Sequence, residues 1–324
     1  MSYQESPIIC PVCQEKAEFK FVQDYKNEEG EWSLYECSEC QVQFWMPFEN
    51  PQAERYEKKV DYTSKLEIMT KENCLLIVRD YWNMNQFLKY PPYKNPNEKK
   101  LLDLGCGTGE FLFVMQNLGY EVYGVDFNQK AINVAKNYLG IENVYPDDVI
   151  NFLENQKERY DVITAFEIIE HLDNPKKLLE LVHRALKPGG YFAFSVPNRE
   201  RYFGKINPET EKWDLPHQHL SRWGFNSLKD FISHFSFKII KTKKEIPISW
   251  FNSRLRVLIE SIMRKKEVKS SVGPIEKFRS NVGLKKYKSI KFLIKIITYP
   301  LALFLFYLLK FEGADLYVLA KKKC

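Results

Sequence analysis

The stretch Leu-Asp-Leu-Gly-Cys-Gly-Thr-Gly-Glu at residues 102–110 decides the fold class of this chain. An apolar run at 100–104 leads into three closely spaced glycines, and a segment with helical periodicity comes next at 110–118. Glycines between a strand and a helix let the backbone turn sharply and approach a ligand closely. The stretch therefore predicts a βα unit with a ligand-binding loop at its turn.

Around this unit, short apolar runs alternate with segments of helical periodicity. The expected strands are residues 100–104, 121–125, 160–165, 191–196, 237–244 and 314–320, and the expected helices are residues 110–118, 129–139, 148–155 and 175–186. Such alternation is typical of βαβ units built on a parallel sheet. We therefore expect an α/β, Rossmann-like fold.

Acidic residues around the glycines indicate which ligand the loop suits. Asp103 precedes the first glycine, Glu110 follows the last, and Asp126 ends the next predicted strand. A carboxylate at that last position can accept the ribose hydroxyls of a nucleoside. The ligand could be a dinucleotide or another adenosine compound, but the flanking acids would repel a pyrophosphate. A ligand with an ammonium and a sulfonium group would be attracted, which favours S-adenosylmethionine.

Four sequence motifs in succession carry a family resemblance over about residues 99–200. They are DLGCGTGEF at 103–111, VYGVDFN at 122–128, YDVITAFEIIEHLDNP at 160–175 and LKPGGYFAFSVPN at 186–198. They resemble the motifs of class I S-adenosylmethionine-dependent methyltransferases, in the ubiquinone-type branch that acts on small molecules. The resemblance implies a seven-stranded, mostly parallel sheet with one antiparallel edge strand and helices on both faces.

The resemblance also implies the positions that would bind the cofactor. Gly105 and Gly107 would lie against the methionine portion, Asp126 would bind the ribose, and an acid after the third strand would lie near adenine. Asp147 and Asp148 both fit this last position, and we favour Asp148. The expected cofactor-binding residues are Asp103, Gly105, Cys106, Gly107, Asp126, Phe127 and Asp148.

Histidines and acids near the end of the strand at 160–165 are candidates for the chemistry on the acceptor. A histidine can serve as a general base at neutral pH. The candidate catalytic residues are Glu170 and His171 in the Glu-His-Leu turn, together with His217 and His219 in an aromatic and polar loop at 213–223. In the competing interpretations, His171 caps the turn after it and the loop is simply packed. The His217 and His219 pair could also bind a metal, but the sequence around it has no carboxylates at the spacing of metal ligands.

The N-terminal cysteines have the spacing of a metal site. Cys10 and Cys13 form one CxxC pair, and Cys37 and Cys40 form a second pair. Two such pairs are typical of a structural zinc ribbon, in which four thiolates fill the coordination sphere. Free thiols or two disulfides are the alternatives. A ribbon ahead of such a methyltransferase resembles a subgroup associated with sugar and glycan modification.

Three segments are expected along the chain. Residues 1–46 form the zinc ribbon, residues 47–98 a helical connector or lid with a helix at 71–88, and residues 99–324 the methyltransferase domain. The last segment contains a basic and apolar helical insertion at about 250–312. Its run at 296–309 has 14 residues, which is shorter than the roughly 20 that a membrane span requires. We expect it to pack internally or to lie in a membrane interface.

Charge is distributed unevenly over the 324 residues, whose formal net charge is +6. Residues 236–324 hold 21 Lys and Arg against 6 Asp and Glu, whereas the remainder of the chain is acidic. A basic C-terminal region favours binding to an anionic surface. A basic face that is simply exposed to solvent would have the same composition. With no secretory signal visible, we expect a cytoplasmic protein, with peripheral contact on the inner membrane face as an option.

These features predict methyl transfer to a small molecule or glycan: a sugar, a lipid-linked saccharide or a quinone-like acceptor. An RNA methyltransferase is the first alternative, because zinc ribbons and basic tails also serve nucleic acids. Against it, residues 10–40 carry three lysines and eight acids, so the ribbon should repel phosphate and we expect no nucleic-acid partner. A protein that binds S-adenosylmethionine without catalysis is the second alternative.

Overall fold

The computed structural model describes residues 8–48, 70–201, 215–216, 218–245 and 313–323. The chain divides into two units, Met1–Lys244 with Asp315–Cys324, and Glu245–Ala314. Almost all of the second unit lies outside the described residues, as do His217 and the predicted insertion at about 250–312. The first unit contains all the helices and strands of the described residues.

The N-terminal region is a small β structure. A two-stranded hairpin carries the first cysteine pair, and a four-stranded sheet has the order β11-β5-β4-β3. The strands are β1 (Ile8–Ile9), β2 (Lys16–Ala17), β3 (Phe19–Asn27), β4 (Gly30–Cys37), β5 (Gln43–Met46) and, from much later in the chain, β11 (Ser221–Arg222). The fourth strand therefore ties the region to a segment more than 170 residues away in sequence.

A seven-stranded sheet forms the centre of the unit, in the order β12-β13-β10-β9-β6-β7-β8. Its strands are β6 (Lys100–Leu104), β7 (Glu121–Asp126), β8 (Val144–Pro146), β9 (Tyr160–Phe166), β10 (Leu186–Pro197), β12 (Phe237–Lys244) and β13 (Asp315–Lys322). Neighbouring strands from β10 through β8 run parallel, and β13 runs antiparallel to both of its neighbours. The predicted α/β, Rossmann-like class is confirmed.

The family resemblance implies that the antiparallel strand lies at the edge of the sheet. In the structure this strand lies inside the sheet instead. β13 lies between β10 and β12, and its residues 316–320 are all buried. A continuous buried run suits an interior strand. β12 has lysine at four of its eight positions and takes the edge, where charged side chains discourage pairing with other chains.

Three of the helices that follow strands of the central sheet are capped by short polar side chains. Asn128 caps the helix after β7, Asp148 the helix after β8, and Asn174 the helix after β9. The helices are α1 (Cys74–Asp80), α2 (Trp82–Lys89), α3 (Glu110–Asn117), α4 (Gln129–Asn137), α5 (Val149–Asn155), α6 (Pro175–Ala185) and α7 (Phe225–Ser233). None of the helices in the described ranges combines the length and hydrophobicity that a membrane crossing requires.

The buried side chains form two large clusters, and successive strand residues alternate between them, as the pleat requires. Phe192 and Phe194 belong to the first cluster, whereas Ala193 belongs to the second. The first cluster also contains Val12 and Phe44 of the N-terminal region. The cysteine-bearing region therefore shares one hydrophobic core with the central sheet.

Candidate functional site

The glycine loop at residues 105–109 lies between β6 and α3, at the carboxyl end of the central strands. Gly105, Gly107 and Gly109 all have left-handed backbones, with φ of 74°, 52° and 85°. A Cβ at Gly105 would lie 2.1 Å from Ile168 Cδ1, and one at Gly109 would lie 2.9 Å from Ala135 Cβ. A Cβ at Gly107 would meet nothing within 4 Å. Two glycines therefore permit close packing, and the third leaves an open face for a ligand.

This contrast predicts different costs of adding a methyl group at Gly105 and at Gly107. Gly107→Ala should cost about 1 kcal/mol of stability, because the left-handed backbone disfavours any Cβ. Gly105→Ala adds a clash with Ile168 and should cost about 3 kcal/mol. Urea unfolding of the two variants measures the difference, and equal midpoints would contradict the packing role of Gly105.

Asp126 ends β7 directly beside the loop. Its Oδ2 accepts a hydrogen bond from the Gly107 amide at 2.9 Å, and its Oδ1 accepts one from the Asn128 amide at 2.9 Å. The loop is also held to the strand through the Val125 carbonyl, which accepts from the amides of Gly105 and Cys106. Asp126 and the glycine loop, which the sequence predicts to bind one ligand together, are therefore adjacent in space.

Asp103 is a buried acid below the loop, with 2% of its surface exposed. Thr164 Oγ1 donates to its Oδ1 at 2.6 Å. Burial raises the pKa of Asp103 to about 7, and the negative charge of Asp126 adds to the rise. A cation placed near Asp103 would stabilise its charged form, because the charge is poorly compensated in the structure.

The other three predicted cofactor residues have different surroundings. Cys106 is buried, and a Cβ on Gly124 would lie 2.7 Å from its Sγ, so its thiol packs into the core. Phe127, next to Asp126, is 41% exposed. Asp148 caps α5, where its Oδ1 accepts from the amides of Ile150 and Asn151 at 2.8 and 3.1 Å.

A second group of polar residues lies in a 3-10 turn at Ile169–His171, directly after β9. Glu170 is completely buried, and among the described residues neither of its carboxylate oxygens has a hydrogen-bond partner. Burial raises its pKa well above the usual range, and the neighbouring Glu167 raises it further. Burial therefore disfavours the charged form of Glu170 in this environment.

His171 lies beside Glu170 and contacts the predicted acceptor loop. Its Nδ1 is hydrogen-bonded to the carbonyl oxygen of Gln218, which can only accept, so Nδ1 carries the proton and Nε2 is the proton acceptor. Nε2 lies 3.9 Å from Glu170 Oε1, and the ring of His219 lies 4.7 Å from that of His171, centroid to centroid. Burial, with a contribution from His219, lowers the pKa of His171 to about 3, so the imidazole is neutral.

Glu167 adds a second acid to this region, in a left-handed backbone with φ of 56°. Its Oε1 accepts from Ser195 Oγ at 2.5 Å, and Ser195 Oγ accepts in turn from Asn83 Nδ2 at 3.1 Å. Burial raises the pKa of Glu167 to about 8, with Asp315 contributing. Asn83 and Ser195 were not predicted as site residues, because 112 residues separate them and no motif connects them.

Within the part of the chain that the structure describes, two groups of side chains could hold a metal ion. The ligand atoms of Glu170, His171 and His219 lie within 4.8 Å of one another, a mixed nitrogen and oxygen set that suits divalent ions. The second group is the four sulfurs of Cys10, Cys13, Cys37 and Cys40, which also lie within 4.8 Å of one another.

The cysteine group fits zinc. Cys10 and Cys40 are 4.0 Å apart at their sulfurs, as are Cys13 and Cys37. A tetrahedral ion with Zn–S bonds of about 2.3 Å separates its sulfurs by about 3.8 Å. All four cysteines are free of disulfides. The structure is thus compatible with the predicted zinc ribbon.

Comparisons with known proteins indicate the family of the chain. The model of a family described as "Methyltransferase domain" matches residues 80–242, half of the chain. A ubiquinone biosynthesis O-methyltransferase of Proteus mirabilis is 36% identical over 107 residues, which cover 32% of this chain and 44% of that protein. An enzyme of the same name from Coxiella burnetii is 30% identical over 138 residues, covering 38% and 59%. The chain spans about half the length of these relatives.

A solved structure shows the same fold. The phosphoethanolamine N-methyltransferase 2 of Haemonchus contortus, in complex with S-adenosyl-L-methionine, has a TM-score of 0.50 at 16% identity. The match covers 94% of this chain and 71% of that chain. The glycine loop, Asp126 and the Glu170–His171 turn all lie within the family match, and the four cysteines lie outside it. The chain therefore belongs to the methyltransferase domain family, in its class I S-adenosylmethionine-dependent form.

Proposed function

We propose that the protein transfers a methyl group from S-adenosylmethionine to a small-molecule acceptor. The observation that carries the proposal is the pair of acids, Asp103 and Asp126, at an open glycine loop. A buried carboxylate with a raised pKa favours a cationic ligand over a phosphate. S-adenosylmethionine supplies an electrophilic methyl group on a positively charged sulfur.

The residues around the loop suit each part of that cofactor. Asp103 would hold the ammonium group, and the backbone at Gly105, Cys106 and Gly107 would hold the methionine portion. Asp126 would bind the ribose hydroxyls, since each carboxylate oxygen can accept more than one hydrogen bond. Phe127 offers an exposed ring to adenine, and Asp148 Oδ2 offers an acceptor for its amino group.

The pKa of Asp103 predicts how cofactor affinity depends on pH. The ammonium group binds the charged carboxylate, so below about pH 7 binding must first displace a proton. The affinity should therefore rise by about tenfold per unit between pH 5.5 and 7 and then level off. Calorimetry over this range measures the rise. In Asp103→Asn the affinity should be lower and flat over the same range, and an equally steep rise there would exclude Asp103 as its source.

In this proposal the acceptor binds at Glu170, His171 and His219. Methyl transfer needs donor and acceptor in line, in contact and shielded from water. The Nε2 of His171 receives the proton of an acceptor hydroxyl, while its Nδ1 keeps the ring oriented through Gln218. Glu170 Oε1 lies 3.9 Å from Nε2, so the ionised form of Glu170 would stabilise the charge that the ring gains.

We favour a quinone-like phenol as the acceptor class, since the Proteus mirabilis and Coxiella burnetii relatives are ubiquinone biosynthesis O-methyltransferases. Sugars and lipid-linked saccharides are the next class to test, on the basis of the ribbon. Calorimetry with S-adenosylmethionine, followed by a methyl-transfer screen over phenolic quinone precursors, sugar nucleotides and lipid-linked saccharides, tests the proposal. Binding without transfer to any of these classes would favour a non-catalytic binding protein.

An RNA acceptor is disfavoured by the surface of the ribbon. Asp24, Glu29, Glu31 and Glu36 lie on or beside the β3–β4 hairpin, where a phosphate backbone would be repelled. Nucleic acid retained by the purified protein after a high-salt wash would reverse this conclusion.

A further inference from the structure

We propose that the four-cysteine ribbon positions the active site: its metal-held sheet fixes residues 218–222, and with them His219, against the Glu170–His171 turn. The inference rests on the proposed function, in which His171 and His219 face the acceptor. It gives the ribbon a role in the acceptor half of the site, separate from the glycine loop.

The main chain of Leu220 carries the connection. Its carbonyl oxygen accepts from the amide of Trp45 on β5 at 3.0 Å, and its own amide donates to the carbonyl of Glu170 at 2.8 Å. Leu220 is 3% exposed, so water does not compete readily for these bonds. One peptide segment thus links a ribbon strand to the catalytic turn, immediately after His219.

Further contacts extend the connection on the same side. β11 continues from Leu220 and pairs with β5 in the register Ser221↔Phe44 and Arg222↔Gln43. Phe44 and Trp223 are fully buried in one hydrophobic cluster. Moving β5 away would therefore break the strand pairing and expose both aromatic side chains.

Arg199 forms a second link between the ribbon and the segment around β11. Its Nη1 donates to the carbonyl of Gln41 at 2.6 Å and lies 3.1 Å from Glu36 Oε2, both in the ribbon. Its backbone amide donates to the Trp223 carbonyl at 2.9 Å. With Leu220 on one side and Arg199 on the other, β11 is held at both ends.

The metal site controls β5 because the second cysteine knuckle leads into it. The amide of Cys37 donates to the Val42 carbonyl at 3.1 Å, and the amide of Gln41 donates to the Cys37 carbonyl at 3.0 Å. This tight turn carries Cys40 and ends where β5 begins. An ion bound by all four thiolates would tie this turn to the β1–β2 hairpin. Loss of the ion should therefore release β5, and β5 should release residues 218–222.

Hydrogen exchange of the full chain tests the inference without any acceptor. Cys40→Ser removes one ribbon ligand and leaves the Glu170, His171 and His219 group intact. Exchange at residues 43–46 and 218–222 should accelerate together, by about tenfold or more, while residues 100–104 and 160–166 keep their protection. Residues 218–222 that stay protected while 43–46 exchange freely would overturn the inference.

A second pair of variants keeps the test decisive if Cys40→Ser fails to fold. Arg199→Ala removes the side-chain link with the metal in place and should accelerate exchange at 218–223 by about tenfold. Lys176→Ala removes a different contact of the ribbon, the 3.0 Å ion pair between Glu15 and Lys176 of α6, and should leave the exchange at 218–223 unchanged. Equal exchange in the two variants would contradict the inference.

Cofactor binding separates this inference from the proposed function. The affinity for S-adenosylmethionine should stay within about twofold in Cys40→Ser and Arg199→Ala, since none of their contacts reaches the glycine loop. A wild-type protein that does not bind the cofactor would refute the proposed function. The exchange result would still decide whether the ribbon holds residues 218–222.

Discussion

Asp126→Ala is expected to weaken the binding of S-adenosylmethionine by at least about tenfold, because two contributions are lost together. The carboxylate would no longer accept the ribose hydroxyls, and the Gly107 amide would lose the acceptor that holds the loop in its left-handed turn. Calorimetry of the purified variant measures the change.

Asp126→Asn separates the two contributions. Its amide oxygen can still accept from one backbone amide, so the loop is partly held while the bidentate acceptor is lost. Asp230→Ala, which removes an acid from α7, serves as the control and should bind as the wild type does. An unchanged affinity in Asp126→Ala would exclude Asp126 from the ribose site.

His171→Ala should lower the turnover number by about a hundredfold or more while the affinity for S-adenosylmethionine changes by less than about twofold. The imidazole is neutral and accepts a proton at Nε2, so its loss removes the base without touching the glycine loop. Steady-state kinetics on an accepted substrate, with calorimetry of the cofactor, measures both quantities.

His171→Gln tests whether the ring acts only as a spacer. The glutamine amide can still donate to the Gln218 carbonyl but cannot take up a proton. If His171 acts as a base, this variant should be as slow as His171→Ala. Recovery of activity would assign His171 a positioning role instead. His234→Ala, at an exposed histidine on the end of α7, should retain wild-type kinetics.

Most strands of the central sheet could be predicted from the sequence, because most of them are short runs of apolar residues. β6 and β12 begin and end as predicted, and the apolar run of β9 is buried throughout. β8 was not predicted, because it has only three residues, Val144–Pro146. The predicted helix at 71–88 is broken at Tyr81, whose extended backbone ends α1 and begins α2.

The candidate site was predictable only where its residues come directly after the strands. Asp126 and the glycine loop meet because parallel strands carry their ends to the same edge. The contact between His171 and His219 depends instead on β11, a two-residue strand whose pairing partner lies in the ribbon. Nothing in the sequence around residue 220 indicates that partner, because strand pairing over such a separation depends on tertiary packing.

The interior position of β13 has a consequence for synthesis on the ribosome. β12 pairs with β13 within the described part of the chain, and β13 emerges only after the whole unit of residues 245–314 has been made. Until then the outer side of β10 is an open edge of the kind that attracts other strands. The final strand then closes the sheet between two strands that are translated before it.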